Sequence, residues 1–147
     1  MKKVQLITDG ACHGNPGPGG WAAILRYNGQ KKEIWGSDAH TTNNRMELRA
    51  AIEGLRTLKE DCEVEVVTDS EYMKNGITTW IHGWKRKGWL TAAKKPVVNQ
   101  DLWKELDDQV NRHKTQWAWT KGHANHADNN RCDELATQAA RDQSKSD

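Results

Sequence analysis

Apolar and polar positions alternate along the chain in two rhythms, and their order outlines an α/β fold. Residues 4–8 form a short apolar run ended by Asp9-Gly10, and residues 21–27 form a second that stops at Asn28-Gly29. Asn-Gly supplies the positive backbone angles of a two-residue hairpin, so residues 31–37 are predicted to return antiparallel. Over residues 43–59 the rhythm changes: Leu48, Ala51, Ile52, Leu55 and Leu58 recur every three or four positions, the mark of one buried helical face. Val64, Val66 and Val67 form a β-branched run ending at Thr68-Asp69, after which Ser70 offers an N-cap to a short helical stretch broken near Gly76.

Residues 78–87 read as helix and residues 88–98, which lack periodicity, as a projecting loop. A further helix is predicted from a cap at Asn99, with Leu102, Trp103, Leu106 and Val110 at helical spacing. Residues 115–120 read as the last strand. After a loop at Gly122, Cys132, Leu135, Ala136, Ala139 and Ala140 define a final helix, with residues 142–147 expected to fray. Three strands, a helix, a strand, several helices, a strand and a helix imply a mixed five-stranded sheet with an antiparallel hairpin edge and helices on both faces.

Composition narrows the class. At 147 residues without an internal repeat, one domain over residues 1–147 is expected. Charged residues make up 29% of the chain and no long apolar run occurs, which argues against a membrane span or a secretory signal and makes the cytoplasm the default location. Cys12, Cys62 and Cys132 form no C-x-x-C pair, so reduced thiols are expected rather than a disulfide framework or zinc knuckle. A net charge of +2 is too mild to imply nucleic acid by itself, but its distribution is uneven. Between residues 80 and 98 lie Lys85, Arg86, Lys87, Lys94 and Lys95 with Trp84 and Trp89 among them and no acid. Cations that neutralise phosphates, interleaved with aromatic faces that stack on sugars or bases, suit a nucleic acid held without sequence choice.

Four acids carry the candidate chemistry. Asp9 and Asp69 each follow a β-run, and ligand sites of open α/β sheets gather beyond strand carboxyl ends. Glu47 precedes the buried position Leu48 and Asp133 follows Cys132, so each lies where a helix's core face meets solvent. Singly, such acids are most often solvated. Brought together, carboxylates about 4 Å apart repel by roughly 4 kcal/mol at an effective dielectric of 20, so the group requires protons or cations. All-oxygen ligands suit Mg²⁺ or Mn²⁺ rather than zinc, and two such ions about 4 Å apart suit phosphodiester hydrolysis. Spacing alone does not establish that the four converge.

The segments Thr8-Asp9-Gly10-Ala11-Cys12-His13-Gly14-Asn15-Pro16-Gly17-Pro18-Gly19-Gly20, Thr42-Asn43-Asn44-Arg45-Met46-Glu47, Thr68-Asp69-Ser70, Lys121-Gly122-His123 and Cys132-Asp133-Glu134-Leu135-Ala136 closely resemble bacterial type 1 ribonuclease H, in that family's order and spacing. The resemblance implies an RNase H-like fold and endonucleolytic cleavage of the RNA strand of RNA/DNA hybrids, leaving 3′-hydroxyl and 5′-phosphate ends. It places Asp9, Glu47, Asp69 and Asp133 at the family's metal-ligand positions, where the Mg²⁺ or Mn²⁺ cofactor that the ligand chemistry suggests, as two ions during turnover, would be held. His123 matches a loop histidine that moves protons or releases the product phosphate, a task its neutral-range titration suits.

The same match assigns nucleic-acid contacts. Cys12, Gly14, Asn15, Asn43, Asn44 and Glu71 take RNA-contact positions, where amides can both donate to and accept from a 2′-hydroxyl. Thr42 and Asn99 match a DNA-phosphate pocket, Tyr72 and Trp84 aromatic DNA contacts, and Lys85, Arg86 and Lys87 belong to a basic protrusion at about residues 80–98. Two departures stand out: His40 occupies a position where relatives often have arginine, and Glu71 one where they often have glutamine. A monomer is implied. Two other readings are a hybrid-binding module with weak catalysis and a DNA-directed nuclease of the same fold.

Overall fold

The computed structural model describes residues 1–119 and 127–145. Strands β1 (Lys2–Cys12), β2 (Gly17–Tyr27) and β3 (Gln30–Thr41) form an antiparallel meander; β4 (Cys62–Thr68) joins the free side of β1 in parallel, and β5 (Lys114–Trp119) continues parallel to β4. Five α-helices are described: α1 (Asn43–Thr57), α2 (Glu71–Asn75), α3 (Ile81–Arg86), α4 (Gln100–Arg112) and α5 (Ala127–Lys145). Asn28 and Gly29 have φ of 51° and 77° between the paired residues Tyr27 and Gln30, which is the predicted two-residue hairpin.

Period-two alternation sends neighbouring side chains to opposite faces of the sheet. Leu6, Ala23, Leu25, Val64 and Val66 meet Leu48, Ile52 and Leu55 of α1 and Leu102, Trp103 and Leu106 of α4. Their neighbours Ile7, Ala22, Ile24 and Val67 meet Cys132 and Ala136 of α5. Helices therefore cover both faces, and each fully buried leucine or isoleucine adds roughly 1.5–3 kcal/mol. Helix α5 sits against β2 because Gly20 has no side chain: a Cβ there would lie 2.3 Å from the Ala136 carbonyl oxygen.

Three local expectations are corrected. Gly76 does not break the helical stretch; it keeps right-handed angles (φ −62°, ψ −50°), and the chain runs through a π-helical turn, Gly76–Trp80, into α3. Its missing side chain serves packing instead, since a Cβ would stand 2.0 Å from the ring of the fully buried Trp103. Asn99 precedes α4 but makes no side-chain cap bond; with φ of 63° it turns its amide toward Arg45 and Tyr72. The tail expected to fray from residue 142 stays helical to Lys145, where Gln138 Nε2 donates to Asp142 Oδ1 at 2.8 Å and Ser37 Oγ of β3 donates to Gln143 Oε1 at 2.8 Å.

Candidate active site

The parallel ladder between β1 and β4 ends at Ile7 opposite Val67, whereas β1 stays paired with β2 as far as Cys12. Asp9 is thus within a strand, not at its end as the sequence suggested, but it lies beyond the point where β1 and β4 part. Asp69 is the first residue past β4. Both reach the same edge by different routes.

Glu47 arrives from α1 because Gly10 lets that helix settle on β1: a Cβ at position 10 would stand 2.5 Å from the Glu47 backbone nitrogen and 2.7 Å from the Met46 carbonyl carbon. The Gly10 N–H then donates to Asp9 Oδ1 at 2.9 Å and to Glu47 Oε1 at 3.1 Å. Thr42 caps α1, its Oγ1 accepting from the Arg45 N–H at 3.3 Å. Ligand oxygens of Asp9, Glu47 and Asp69 all lie within 4.8 Å of one another.

Burial and mutual repulsion shape the electrostatics. Asp9 and Glu47 are each 4% exposed and Asp69 is half-buried. Burial first, and then the neighbouring Asp69 charge, raise the Asp9 carboxyl from 3.8 to about 7. Burial and then the Asp9 charge raise Glu47 well above the usual carboxylate range. Glu47 Oε2 is buried without a hydrogen-bond partner. Such an oxygen normally has one, and hard carboxylate oxygens crowded around one point suit a divalent cation. The donor set therefore fits a metal of the Mg²⁺ or Mn²⁺ type.

The fourth acid sits differently. Asp133 is exposed on α5 and is not one of the three clustered ligands, although its charge adds to the upward shift of Asp9. Its neighbour Cys132 anchors α5 beneath β1 and β2, with Sγ 3.6 Å from Ile7 O and 3.2 Å from Ala22 O. His123 lies outside the described residues, as do Lys121 and Gly122.

The predicted nucleic-acid contacts fall on two flanks. Asn15 Oδ1 accepts from the Asn43 N–H at 3.1 Å, which joins the turn after β1, with Gly14 at φ 86°, to the start of α1. Asn43 and Asn44 are exposed there, while Cys12 is half-buried, its thiol donating to Gly17 O and Thr41 O at 3.5 and 3.4 Å. Glu71 opens α2, exposed and two residues beyond Asp69. On the other flank Tyr72 Oη accepts from Asn99 Nδ2 and from Trp103 Nε1, both at 3.1 Å. Trp84 stacks at a tilt on Trp103, with centroids 5.3 Å apart.

Arg86 and Lys87 are exposed, but Lys85 is engaged: its Nζ lies 2.7 Å from Asp107 of α4. Sequence reasoning missed Gly10 and Arg45. Arg45 holds Asn99 Oδ1 at 3.1 Å and grips Asp101 with two bonds of 3.0 and 2.8 Å, tying the start of α1 to the start of α4. A glycine inside a β-run is a known signal of close backbone approach, whereas nothing in the spacing of Arg45 and Asp101 announces their pairing.

Comparison with known proteins extends this geometry. The sequence family described as RNase H matches residues 1–141. A ribonuclease H of Solibacter usitatus (strain Ellin6076) is 80% identical over 146 residues, covering 99% of this chain and 100% of that one. A ribonuclease HI of Neisseria meningitidis serogroup A is 61% identical over 137 residues, covering 93% and 94% of the two chains. Among solved structures, LC9-RNase H1, described as a type 1 RNase H with the type 2 active-site motif, aligns with a TM-score of 0.87 at 36% identity, over 97% of this chain and 74% of that one.

Proposed function

The chain belongs to the RNase H family, and from that premise we propose that Asp9, Glu47, Asp69 and Asp133 are the metal ligands with which it hydrolyses the RNA strand of RNA/DNA hybrids. The observation that carries the site assignment is the convergence of three carboxylates, from β1, α1 and the end of β4, with ligand oxygens within 4.8 Å of one another. The site takes Mg²⁺, or Mn²⁺ in its place, with two ions during turnover. A cation held by these carboxylates would offset their clustered negative charge and supply Lewis-acid activation of the attacking water and stabilisation of the leaving oxygen.

The protein's own groups do the rest. Gly10 fixes Asp9 and Glu47 through one N–H, so neither carboxylate has to reorganise when substrate arrives. Asn15, Asn43 and Asn44, with Cys12 and Gly14, face the RNA strand, where amide groups read the 2′-hydroxyl that DNA lacks. Glu71 borders that strand and adds negative charge, which weakens the grip on RNA phosphate. Thr42 and Asn99 hold a DNA phosphate, and Tyr72, Trp84 and the basic segment follow the DNA strand. His123 moves a proton at the leaving oxygen or releases the product phosphate. Cleavage leaves 3′-hydroxyl and 5′-phosphate ends. The protein acts as a cytoplasmic monomer; no described helix is long and apolar enough to cross a membrane.

Incubation of end-labelled RNA/DNA hybrid, double-stranded RNA and double-stranded DNA with Mg²⁺ checks this reading. Cleavage is expected in the RNA strand of the hybrid alone and is lost with chelator. An intact hybrid, or equal cleavage of DNA, contradicts it.

The ion pair of Lys85 refines the account of the basic segment. Among the described residues no ion-pair partner faces Arg86 or Lys87, so these two meet the backbone more readily than Lys85 does. Arg86→Gln and Lys87→Gln are each expected to flatten the slope of log affinity against log salt by up to about 0.9, and Lys85→Gln to change it less. Hybrid-binding titrations between low and moderate salt measure this; equal slopes for all three variants would remove the distinction.

A further inference from the structure

Two of the three clustered carboxylates share the Gly10 N–H, but Asp69 belongs to a chain segment that has just left the sheet. The last pair between β4 and β5 is Thr68 opposite Trp119, so Asp69 is the first residue past the parallel ladder. At that point the indole of Trp119 turns back, and its Nε1–H donates to the Asp69 carbonyl oxygen at 3.1 Å. The Trp119 ring is steadied from α2, where Lys74 Nζ stands 5.9 Å from the ring centroid. Beyond Asp69 the Ser70 N–H is held by Thr68 Oγ1 at 3.0 Å, and Ser70 Oγ caps α2 by accepting from Met73 N–H at 3.1 Å.

These bonds matter because Asp69 sits in a repulsive neighbourhood. Its charge raises the carboxyl groups of both Asp9 and Glu47, which is the same repulsion seen from the other side. Before a cation binds, that repulsion favours outward movement of Asp69, the least buried of the three and the one that lies past the end of the sheet ladder. A fixed carbonyl opposes rotation of the peptide that carries the carboxylate.

We propose that Trp119 is a positioning residue: its indole N–H holds the Asp69 main chain at the end of β4 so that the carboxylate stays within reach of Asp9 and Glu47 before metal arrives. The inference rests on the reading of Asp69 as a metal ligand. Holding a ligand in place improves affinity by reducing what binding must order, so loss of Trp119's bond weakens metal binding without touching the nucleic-acid flanks.

Calorimetric titration of Mg²⁺ into the full chain, without nucleic acid, tests it on wild type, Asp69→Asn, Trp119→Phe and the double variant. Trp119→Phe is expected to raise the Mg²⁺ Kd about fivefold, the equivalent of one net hydrogen bond, with KM for hybrid at saturating Mg²⁺ unchanged. The double variant binds Mg²⁺ no more weakly than Asp69→Asn alone, because Trp119 acts through Asp69. Wild-type affinity in a folded Trp119→Phe, or further weakening in the double variant, overturns the proposal while the metal-ligand reading stands. Wild-type affinity in Asp69→Asn overturns both. In the wild-type protein itself, the Trp119 indole N–H is expected to exchange with solvent more slowly than that of Trp35, which is 57% exposed, and to shift with the Mg²⁺ titration. Exchange as fast as Trp35's sinks the proposal however Trp119→Phe folds.

Discussion

Asp9→Asn is expected to yield a folded protein whose kcat on RNA/DNA hybrid falls by at least about a thousandfold, equivalent to ~4 kcal/mol of transition-state stabilisation. The substitution keeps the shape of the side chain and an oxygen to accept the Gly10 N–H that Asp9 Oδ1 now accepts at 2.9 Å. It removes one charge from the cluster proposed to hold the cation. Without metal, the same variant is expected to gain stability at neutral pH. Asp9 titrates at about 7 in the folded protein against an ordinary 3.8. From roughly pH 4 to 7 the folded state therefore keeps a proton that the unfolded chain has released, and stability falls as pH rises through that window. Removing the group removes the penalty above the window, on the order of 4 kcal/mol or roughly 8–16 °C in Tm, and changes little at pH 4. Tm measured in chelator at pH 4 and pH 8, beside kcat in Mg²⁺, checks both halves. Activity within tenfold of wild type, or a variant Tm equal to that of wild type at pH 8 as well as at pH 4, contradicts the assignment.

Gly10→Ala is the second large effect, and it strikes fold and site together. The added Cβ meets backbone atoms, the Glu47 nitrogen at 2.5 Å and the Met46 carbonyl carbon at 2.7 Å, so relief requires the start of α1 to lift from β1. Overpacking of this kind costs about 1–3 kcal/mol, and a displacement near 1 Å costs about a hundredfold in rate. Gly54→Ala serves as the contrast: its Cβ meets the Leu6 side-chain tips at 2.6 and 3.0 Å, which can rotate, and the Ala23 Cβ only at 3.3 Å, with no backbone atom among its close contacts, and alanine favours the helix by about 1 kcal/mol. Urea unfolding and kcat are expected to fall together in Gly10→Ala, with Gly54→Ala near wild type in rate. A fully active Gly10→Ala would mean that the contact between α1 and β1 does not set the position of Glu47.

Much of the fold was legible because burial imposes period two on strands and period three to four on helices. Leu48, Ile52 and Leu55 announced α1, and Asn28-Gly29 announced the hairpin. Glycine was harder. Gly76 read as a breaker, yet it serves the approach of Trp103, because one residue type marks both turns and close contacts and only the partner tells them apart. Asn99 read as a cap and proved to be a bridge, since its partners Arg45 and Tyr72 come from distant segments. The end of α5 read as frayed because its polar residues hide the Ser37 to Gln143 contact that holds it to β3.

The site divides in the same way. Asp69 was placed by its strand end, and Asp9 by a strand that in fact continues through it to Cys12. Motif resemblance brought in Glu47, which Gly10 accounts for physically. Asp133 came by resemblance as well and stands outside the compact group of three. Pairing of Lys85 with Asp107 depends on how α3 lies against α4, so no local pattern revealed it.

Asp9, Glu47 and Asp69 are proposed to form a site for a divalent cation. Anomalous scattering from crystals soaked in Mn²⁺, at a concentration that supports full hybrid cleavage, tests it most directly. A Mn²⁺ peak bounded by these three carboxylates is expected in the wild-type protein and is lost in Asp9→Asn. Mn²⁺ bound only elsewhere, with the three carboxylates bare, would contradict it.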